Sequence, residues 1–291
     1  SKKDQSQEII LTKVFMFPGQ GSQKVGMGEG LFEKYPKLVA QADAQLGYSI
    51  ADLCLTDEQG QLNQTQFTQP ALYVVSALTY LDKIDSDEAK PDVTAGHSLG
   101  EYNALFAAGA FDFITGLKLV QKRGAIMSQV EGGGMAAVLG MTADQIKETL
   151  ETNKLTKVDV ANFNSPGQTV LSGLKADIEA AEPFFKEAGA KRYVVLPVSG
   201  AFHSRYMKDS QDEFQEFATQ FTFNELEIPV ISNVEAAPYV QANLLPTLVG
   251  QISSSVRWTE TILSLKAKDA EATFEEVGPG KVLSGLLRQI K

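Results

Sequence analysis

Two spacings of apolar residues alternate along this chain. Short unbroken apolar runs, such as Val14-Phe15-Met16-Phe17, read as buried strands. That run leads into Pro18-Gly19-Gln20-Gly21-Ser22-Gln23, a stretch of residues that tolerate tight turns. Helical spacing follows over 31–46 and 69–84. Residues 91–95 are short and extended, and 101–110 read as a proline-free helix of small residues packed closely on a sheet. Strands separated by helices predict a parallel sheet with helices on both faces. The middle changes character. Glu131-Gly132-Gly133-Gly134 reads as a flexible hinge. It precedes a strand over 135–140, a helix over 144–153, and strands over 158–164 and 169–173 around a Ser165-Pro166-Gly167 turn. A helix over 177–188, interrupted near Pro183, and a strand over 192–198 complete a βαββαβ order, that of a ferredoxin-like unit. Beyond it come a strand over 228–232, helices over 244–253 and 259–268, and a strand over 272–277. Gly278-Pro279-Gly280 then opens a last helix. The expectation is an α/β protein: a large domain from 1–133 and 201–291, with a small ferredoxin-like domain, 134–200, inserted in it.

With 291 residues and 43% hydrophobic content, the chain can bury a core of ordinary size. A net charge of −10 argues against a nucleic-acid partner, whose phosphates need a basic surface. No apolar run approaches a membrane span and no signal peptide is visible, so no membrane partner is expected. The single cysteine, Cys54, reads as a buried apolar position. It allows no intrachain disulfide, which suits a cytoplasmic protein. One cysteine and two histidines offer few ligands to zinc, and no metal is expected. The start at Ser1, the polar stretch Lys2 to Gln7, which reads as loose, and the end inside an apparent helix suggest a processed chain. A monomer, or one domain of a longer polypeptide, is the expectation.

The candidate chemistry centres on Ala95-Gly96-His97-Ser98-Leu99-Gly100-Glu101-Tyr102. Its Gly-x-Ser-x-Gly pattern is the signature of a nucleophile elbow, a strained strand-to-helix turn that exposes a serine hydroxyl. The glycines leave room for backbone where a Cβ would collide. A serine hydroxyl needs a base, and imidazole is the usual one near neutral pH. His97 adjoins Ser98, but adjacent side chains at a strand end point in opposite directions. By elimination the base is His203, just beyond a predicted strand. No acidic residue stands out as a third triad member, so a backbone carbonyl is the alternative orienting group.

Gly116, Leu119, Val120, Arg123, Ile126, Met127 and Val130 fall on one stripe of the helix predicted over 112–130, and Arg123 alone in it is charged. An inward guanidinium needs an anionic partner. Two readings are open: an ion pair with a core carboxylate, or a grip on a substrate carboxylate through two parallel hydrogen bonds. The Gln20 loop matches neither a dinucleotide fingerprint nor a phosphate loop, because Met27 stands where the latter needs lysine. It reads as a turn supplying one oxyanion-hole donor, with the Leu99 N–H as the other.

Phe17-Pro18-Gly19-Gln20-Gly21-Ser22-Gln23, Gly96-His97-Ser98-Leu99-Gly100-Glu101-Tyr102, Asn162-Phe163-Asn164-Ser165-Pro166-Gly167-Gln168 and Glu276-Val277-Gly278-Pro279-Gly280 resemble, in order, the motifs of the malonyl-CoA:acyl carrier protein transacylase family. The resemblance runs from about Lys13 to the C-terminus. It implies an α/β-hydrolase-like large domain with a ferredoxin-like insert, and a Ser-His pair in place of a full triad. It also implies malonyl-CoA as substrate, no permanently bound cofactor, and an acyl carrier protein as partner. Carried over by position, Ser98 is the nucleophile, His203 the base, Arg123 the malonyl-carboxylate clamp and Gln20 an oxyanion-hole residue. Gln251 matches the position whose backbone carbonyl orients the histidine. The segment 199–207 looks more like stand-alone acyltransferases of polyketide assembly lines than like fatty-acid enzymes. Phe202, together with Leu99, is similar to the malonyl-selective pattern. The rivals are an acyl hydrolase or thioesterase, with water as acceptor, and a docking module with a dead site. The intact Ser98, His203 and Arg123 argue against the second.

Overall fold

The computed structural model describes residues 12–291; the Lys2 to Gln7 stretch lies outside them. Eight strands are present there: β1 Lys13–Phe17, β2 Val93–Gly96, β3 Gly133–Leu139, β4 Asp159–Ser165, β5 Gln168–Leu174, β6 Arg192–Val195, β7 Val230–Ile231 and β8 Thr273–Glu276. They form two sheets. The first, in order β7-β2-β1-β8, is parallel throughout. The second, in order β4-β5-β3-β6, is antiparallel throughout.

The apolar run of β1 is buried because helices cover both faces of the parallel sheet. Phe15 and Phe17 point into the main core, beneath the helices Thr65–Asp85 and Phe113–Ser128. Val14 and Met16 point the other way. They meet Trp258, Ile262, Leu283 and Leu286 from the helices Trp258–Lys268 and Val282–Gln289. One face of the antiparallel sheet is closed by Ile146, Ile178 and Phe185 from the helices Ala143–Thr152 and Lys175–Glu187. Its Met135 and Val170 join the main core instead. Strand β4 is tied to the other half of the molecule by backbone: Val256 N–H donates to Ala161 O at 2.7 Å, and Phe163 N–H to Val256 O at 2.9 Å.

Several expectations are corrected. Gly133 and Gly134 are not a hinge but the start of β3. The Gly133 N–H bonds Ser199 O at 2.9 Å, and a Cβ there would lie 2.3 Å from Ala201 N, so this glycine serves close approach of two backbones. The helix Lys175–Glu187 runs through Pro183 unbroken, because the missing N–H falls on a solvent-facing side where water can satisfy the freed carbonyl. The segment expected as one helix over 31–46 divides into a turn at Phe32–Lys34 and the helix Pro36–Leu46, with Pro36 at its first position. The strand expected over 228–232 shrinks to β7, since Pro229 has no N–H to pair. The helices Ile50–Leu55 and Lys208–Ala218 were not anticipated. Cys54 is fully buried. Among the described residues no helix is long and apolar enough to cross a membrane.

Candidate active site

Ser98 stands where β2 gives way to the helix Gly100–Ala107, with a left-handed φ of 52° that a serine seldom adopts. The surrounding glycines make this turn possible. A Cβ on Gly96 would lie 2.0 Å from the Gly100 carbonyl, and one on Gly100 2.1 Å from Phe17 O. The serine backbone is held from across the fold: its N–H donates to Asn233 Oδ1 at 2.8 Å, while Asn233 Nδ2 donates to Gly96 O at 2.7 Å. Local strain anchored by tertiary contacts is the usual condition of a nucleophile elbow.

Ser98 Oγ and His203 Nε2 are 2.8 Å apart. The other ring nitrogen, Nδ1, lies 2.9 Å from Gln251 O and 3.2 Å from Ser254 O. Carbonyl oxygens only accept, so Nδ1 carries the proton and Nε2 presents its lone pair to the serine. The second ring position is therefore occupied by backbone, not by a carboxylate. His203 is 4% exposed. Burial, then the neighbouring Arg123 charge, push its pKa from 6.5 down to about 3, so the imidazole is neutral at physiological pH. His97 faces elsewhere, as its neighbour position requires: its Nε2 is 2.7 Å from Asn164 Oδ1 and its ring lies 5.6 Å from that of Trp258.

Arg123 reaches this point from the helix Phe113–Ser128, which Asp112 caps through the Thr115 N–H. It is 1% exposed, as the helical stripe required. Its partners are not the expected anion. Nη1 donates to Gln69 Oε1 at 2.8 Å. Nη2 donates to Gln251 Oε1 at 2.8 Å and to Ser98 Oγ at 3.1 Å. Nε has no partner, and the guanidinium sits 5.6 Å from the Tyr102 ring. Two neutral amide oxygens can hold a buried cation because they supply oriented dipoles, yet they leave its charge unmatched. Among the described residues no carboxylate lies within ion-pair distance of Arg123; Glu101 acts on its charge from further off.

The Gln20 loop lies against the elbow. Ser22 N–H closes the turn on Gly19 O at 3.2 Å, and a Cβ on Gly19 would stand 2.4 Å from His97 O and 3.7 Å from Leu99 N. The Gln20 side chain itself is exposed and donates to Thr65 Oγ1 at 3.1 Å. Phe202 precedes His203, is 8% exposed, and packs its ring on Gly200, where a Cβ would lie 2.2 Å away. Three residues that build this site were not singled out in the sequence: Gln69 holds Arg123, Asn233 holds the elbow, and Glu101 holds Asn233 and Gln251. The Gln251 side chain, which also holds Arg123, was not anticipated, although its backbone carbonyl was. Glu101 did leave a signal, as the one charged residue of the helix Gly100–Ala107; Gln69, set among Thr65, Gln66 and Thr68, left none. Asn233 left none.

A hydroxyl on a strained elbow, a neutral imidazole bonded to it and a buried cation beside it define a serine acyl-transfer enzyme. The acyl transferase domain model matches residues 14–289. The chain is 55% identical over 280 residues to the polyketide biosynthesis malonyl CoA-acyl carrier protein transacylase BaeC of Bacillus velezensis, covering 95% of this chain and 96% of that protein. Its fold is similar to the crystal structure of malonyl CoA-acyl carrier protein transacylase from Burkholderia pseudomallei, with a TM-score of 0.92, 49% identity, and 97% and 98% of the two chains covered. A malonyl-transacylase in complex with its type II PKS acyl-carrier protein is also similar, with a TM-score of 0.90, 35% identity, and 96% and 93% covered. The chain belongs to the acyl transferase domain family and, within it, to the malonyl CoA-acyl carrier protein transacylases.

Proposed function

We propose that this protein moves a malonyl group from malonyl-CoA to the phosphopantetheine thiol of an acyl carrier protein in polyketide biosynthesis. Ser98 Oγ attacks the thioester carbonyl as its proton passes to His203 Nε2. The oxyanion is met by the backbone N–H groups of Leu99 and Gln20, neither of which has an internal acceptor among the described residues. Collapse expels the CoA thiolate, which takes the proton from the imidazolium, and a malonyl ester remains on Ser98. The carrier thiol then gives its proton to Nε2, attacks the ester carbonyl, and releases Ser98 with its proton restored. The Gln251 carbonyl fixes the imidazole tautomer throughout.

The observation that carries malonyl rather than a simple acyl group is Arg123. A malonyl carboxylate lies only two carbons beyond the serine ester oxygen's carbonyl neighbour, so a clamp for it must stand almost on the nucleophile. Arg123 Nη2 is 3.1 Å from Ser98 Oγ, and the hydrogen-bond partners of the guanidinium among the described residues include no carboxylate. Phe202, against the base, limits bulk at the α-carbon; one methyl in such a pocket is discriminated by ~1–3 kcal/mol. The same reading divides the chain into a large α/β-hydrolase-like domain, 1–133 with 201–291, and a ferredoxin-like domain, 134–200, for which the order β4-β5-β3-β6 is the support. A thiol chemistry with acyl-CoA and one buried cysteine fits the cytoplasm. The test is to supply labelled malonyl-CoA with holo carrier protein. The label should leave the enzyme on the carrier; label released chiefly as free malonate would identify a hydrolase.

A further inference from the structure

The transfer steps above make no use of Glu101, a fully buried carboxyl three residues after the nucleophile. Its Oε2 accepts from Asn233 N–H at 3.0 Å and from Gln251 Nε2 at 3.0 Å, and its Oε1 meets the Tyr239 hydroxyl. Gln251 is the junction. Its Nε2 also donates to Ser98 O at 2.9 Å, its Oε1 accepts from Arg123 Nη2 at 2.8 Å, and its main-chain O accepts from His203 Nδ1 at 2.9 Å. The ends of an amide are alike in shape and opposite in hydrogen-bonding sense. Reversed, the Gln251 amide would press its NH₂ against the guanidinium and its oxygen against Ser98 O. Glu101 adds an acceptor behind Nε2, beside Ser98 O and Asn233 Oδ1 at 3.3 Å, and so favours the first orientation. It is also the acid that faces Arg123 across one amide, where no carboxylate touches the cation directly.

We propose that Glu101 is a positioning residue, which through the Gln251 amide holds the Arg123 guanidinium ready for the substrate carboxylate and so sets the preference for malonyl over unsubstituted acyl groups. The inference rests on the reading of Arg123 as the carboxylate clamp and deepens it. Protonation does not undo the arrangement. Burial pushes the Glu101 pKa up to about 8, against the pull of Gln251, Asn233 and Arg123. A proton on Oε1 can point to the Tyr239 hydroxyl while Oε2 still accepts from Gln251. A glutamine at 101 can do the same, with its NH₂ toward Tyr239, whereas a leucine removes this acceptor and leaves Nε2 only Ser98 O at 2.9 Å and Asn233 Oδ1 at 3.3 Å, so the Gln251 amide is held less firmly against Arg123.

The experiment compares kcat/KM for malonyl-CoA and acetyl-CoA, with transfer to holo carrier protein, in wild type, Glu101→Gln, Glu101→Leu, Arg123→Ala and the Glu101→Leu/Arg123→Ala double variant. Loss of a hydrogen bond to a charged group corresponds to about tenfold or more. Glu101→Leu is therefore expected to lower the malonyl-to-acetyl ratio by about tenfold, and Glu101→Gln to keep it within about threefold. In the Arg123→Ala background, Glu101→Leu should change the ratio no further. Equal losses on both substrates in Glu101→Leu, or a ratio shift that persists undiminished without Arg123, would overturn the proposal. Should the leucine variant not fold, a tenfold fall of the ratio in Glu101→Gln would overturn it as well, and a retained ratio supports it. If Arg123→Ala alone loses both substrates equally, it is the clamp reading that has failed, whatever Glu101 does.

Discussion

Replacing Arg123 by alanine separates transfer of a carboxylate-bearing acyl group from transfer of a simple one. The guanidinium is buried, held by the Gln69 and Gln251 amide oxygens at 2.8 Å each, and stands 3.1 Å from the Ser98 hydroxyl. A malonyl carboxylate entering this site loses water and gains a charge-assisted bond to the guanidinium. Hydrogen bonds of that kind contribute ~1.5–3 kcal/mol. At about 1.4 kcal/mol per factor of ten, kcat/KM for malonyl-CoA should fall by roughly ten- to 150-fold in Arg123→Ala. Acetyl-CoA has no carboxylate, so its turnover should hold or improve once an unmatched cation is gone. The variant should also lose about 1–3 kcal/mol of stability, because two buried amide oxygens are left without a donor. Arg123→Lys should recover little of the malonyl rate, since an ammonium cannot span Gln69, Gln251 and a carboxylate together. The assay is transfer of labelled malonyl and acetyl to holo carrier protein, with thermal unfolding as the control for folding. Equal losses on both substrates in a folded Arg123→Ala variant would refute the reasoning and leave Arg123 a structural residue.

His203→Ala should lower transfer by ~10²–10⁴-fold, the range for loss of a general base, and His97→Ala by less; the reverse order in a transfer assay would move the base to His97. Since burial holds the His203 pKa down at about 3, the profile of kcat/KM against pH should show no acid limb from this group near 6.5, and a limb centred there would contradict a neutral buried base. The same burial makes the fold acid-sensitive. The unfolded chain takes up the imidazole proton near pH 6.5 and the native one does not until about pH 3, so stability falls as pH drops through that window, by at most ~1.4 kcal/mol per pH unit. Urea unfolding between pH 7 and 4 should accordingly show a smaller decline for His203→Gln than for wild type.

The elbow was legible in the sequence because its requirement is steric and local: two glycines must stand where a Cβ would meet backbone at about the 2 Å read from the structure. Arg123 was legible because one charge on an apolar helical stripe has few explanations, although the stripe could not say whether the protein or the substrate supplies the anion. The pairing of His203 with Ser98 needed only elimination between two imidazoles. What the sequence hid was whatever depends on contacts between distant segments. Ser98 and Asn233 are separated by 135 residues, and Ser98 and Gln251 by 153, so no window of sequence contains the network that fixes the Ser98 turn. The position of Gln251 came from resemblance, and its side-chain role from the structure alone. The run Gly132-Gly133-Gly134 misled for a related reason. Glycine serves flexibility and close approach equally well, and only the Ala201 backbone beside Gly133 tells which applies. Pro183 misled because solvent at an exposed helix face relieves the defect that a proline creates.

The proposed transfer turns on a malonyl ester on Ser98 that a carrier thiol resolves. Intact-mass spectrometry of the protein after brief mixing with malonyl-CoA, followed by addition of holo carrier protein, tests it in one sample. One malonyl adduct is expected, located on Ser98 by peptide mapping and absent in Ser98→Ala, that moves quantitatively to the carrier when the carrier is added. An adduct on another residue, an adduct that survives Ser98→Ala, or an ester that decays to malonate in water while the carrier stays unloaded would contradict it.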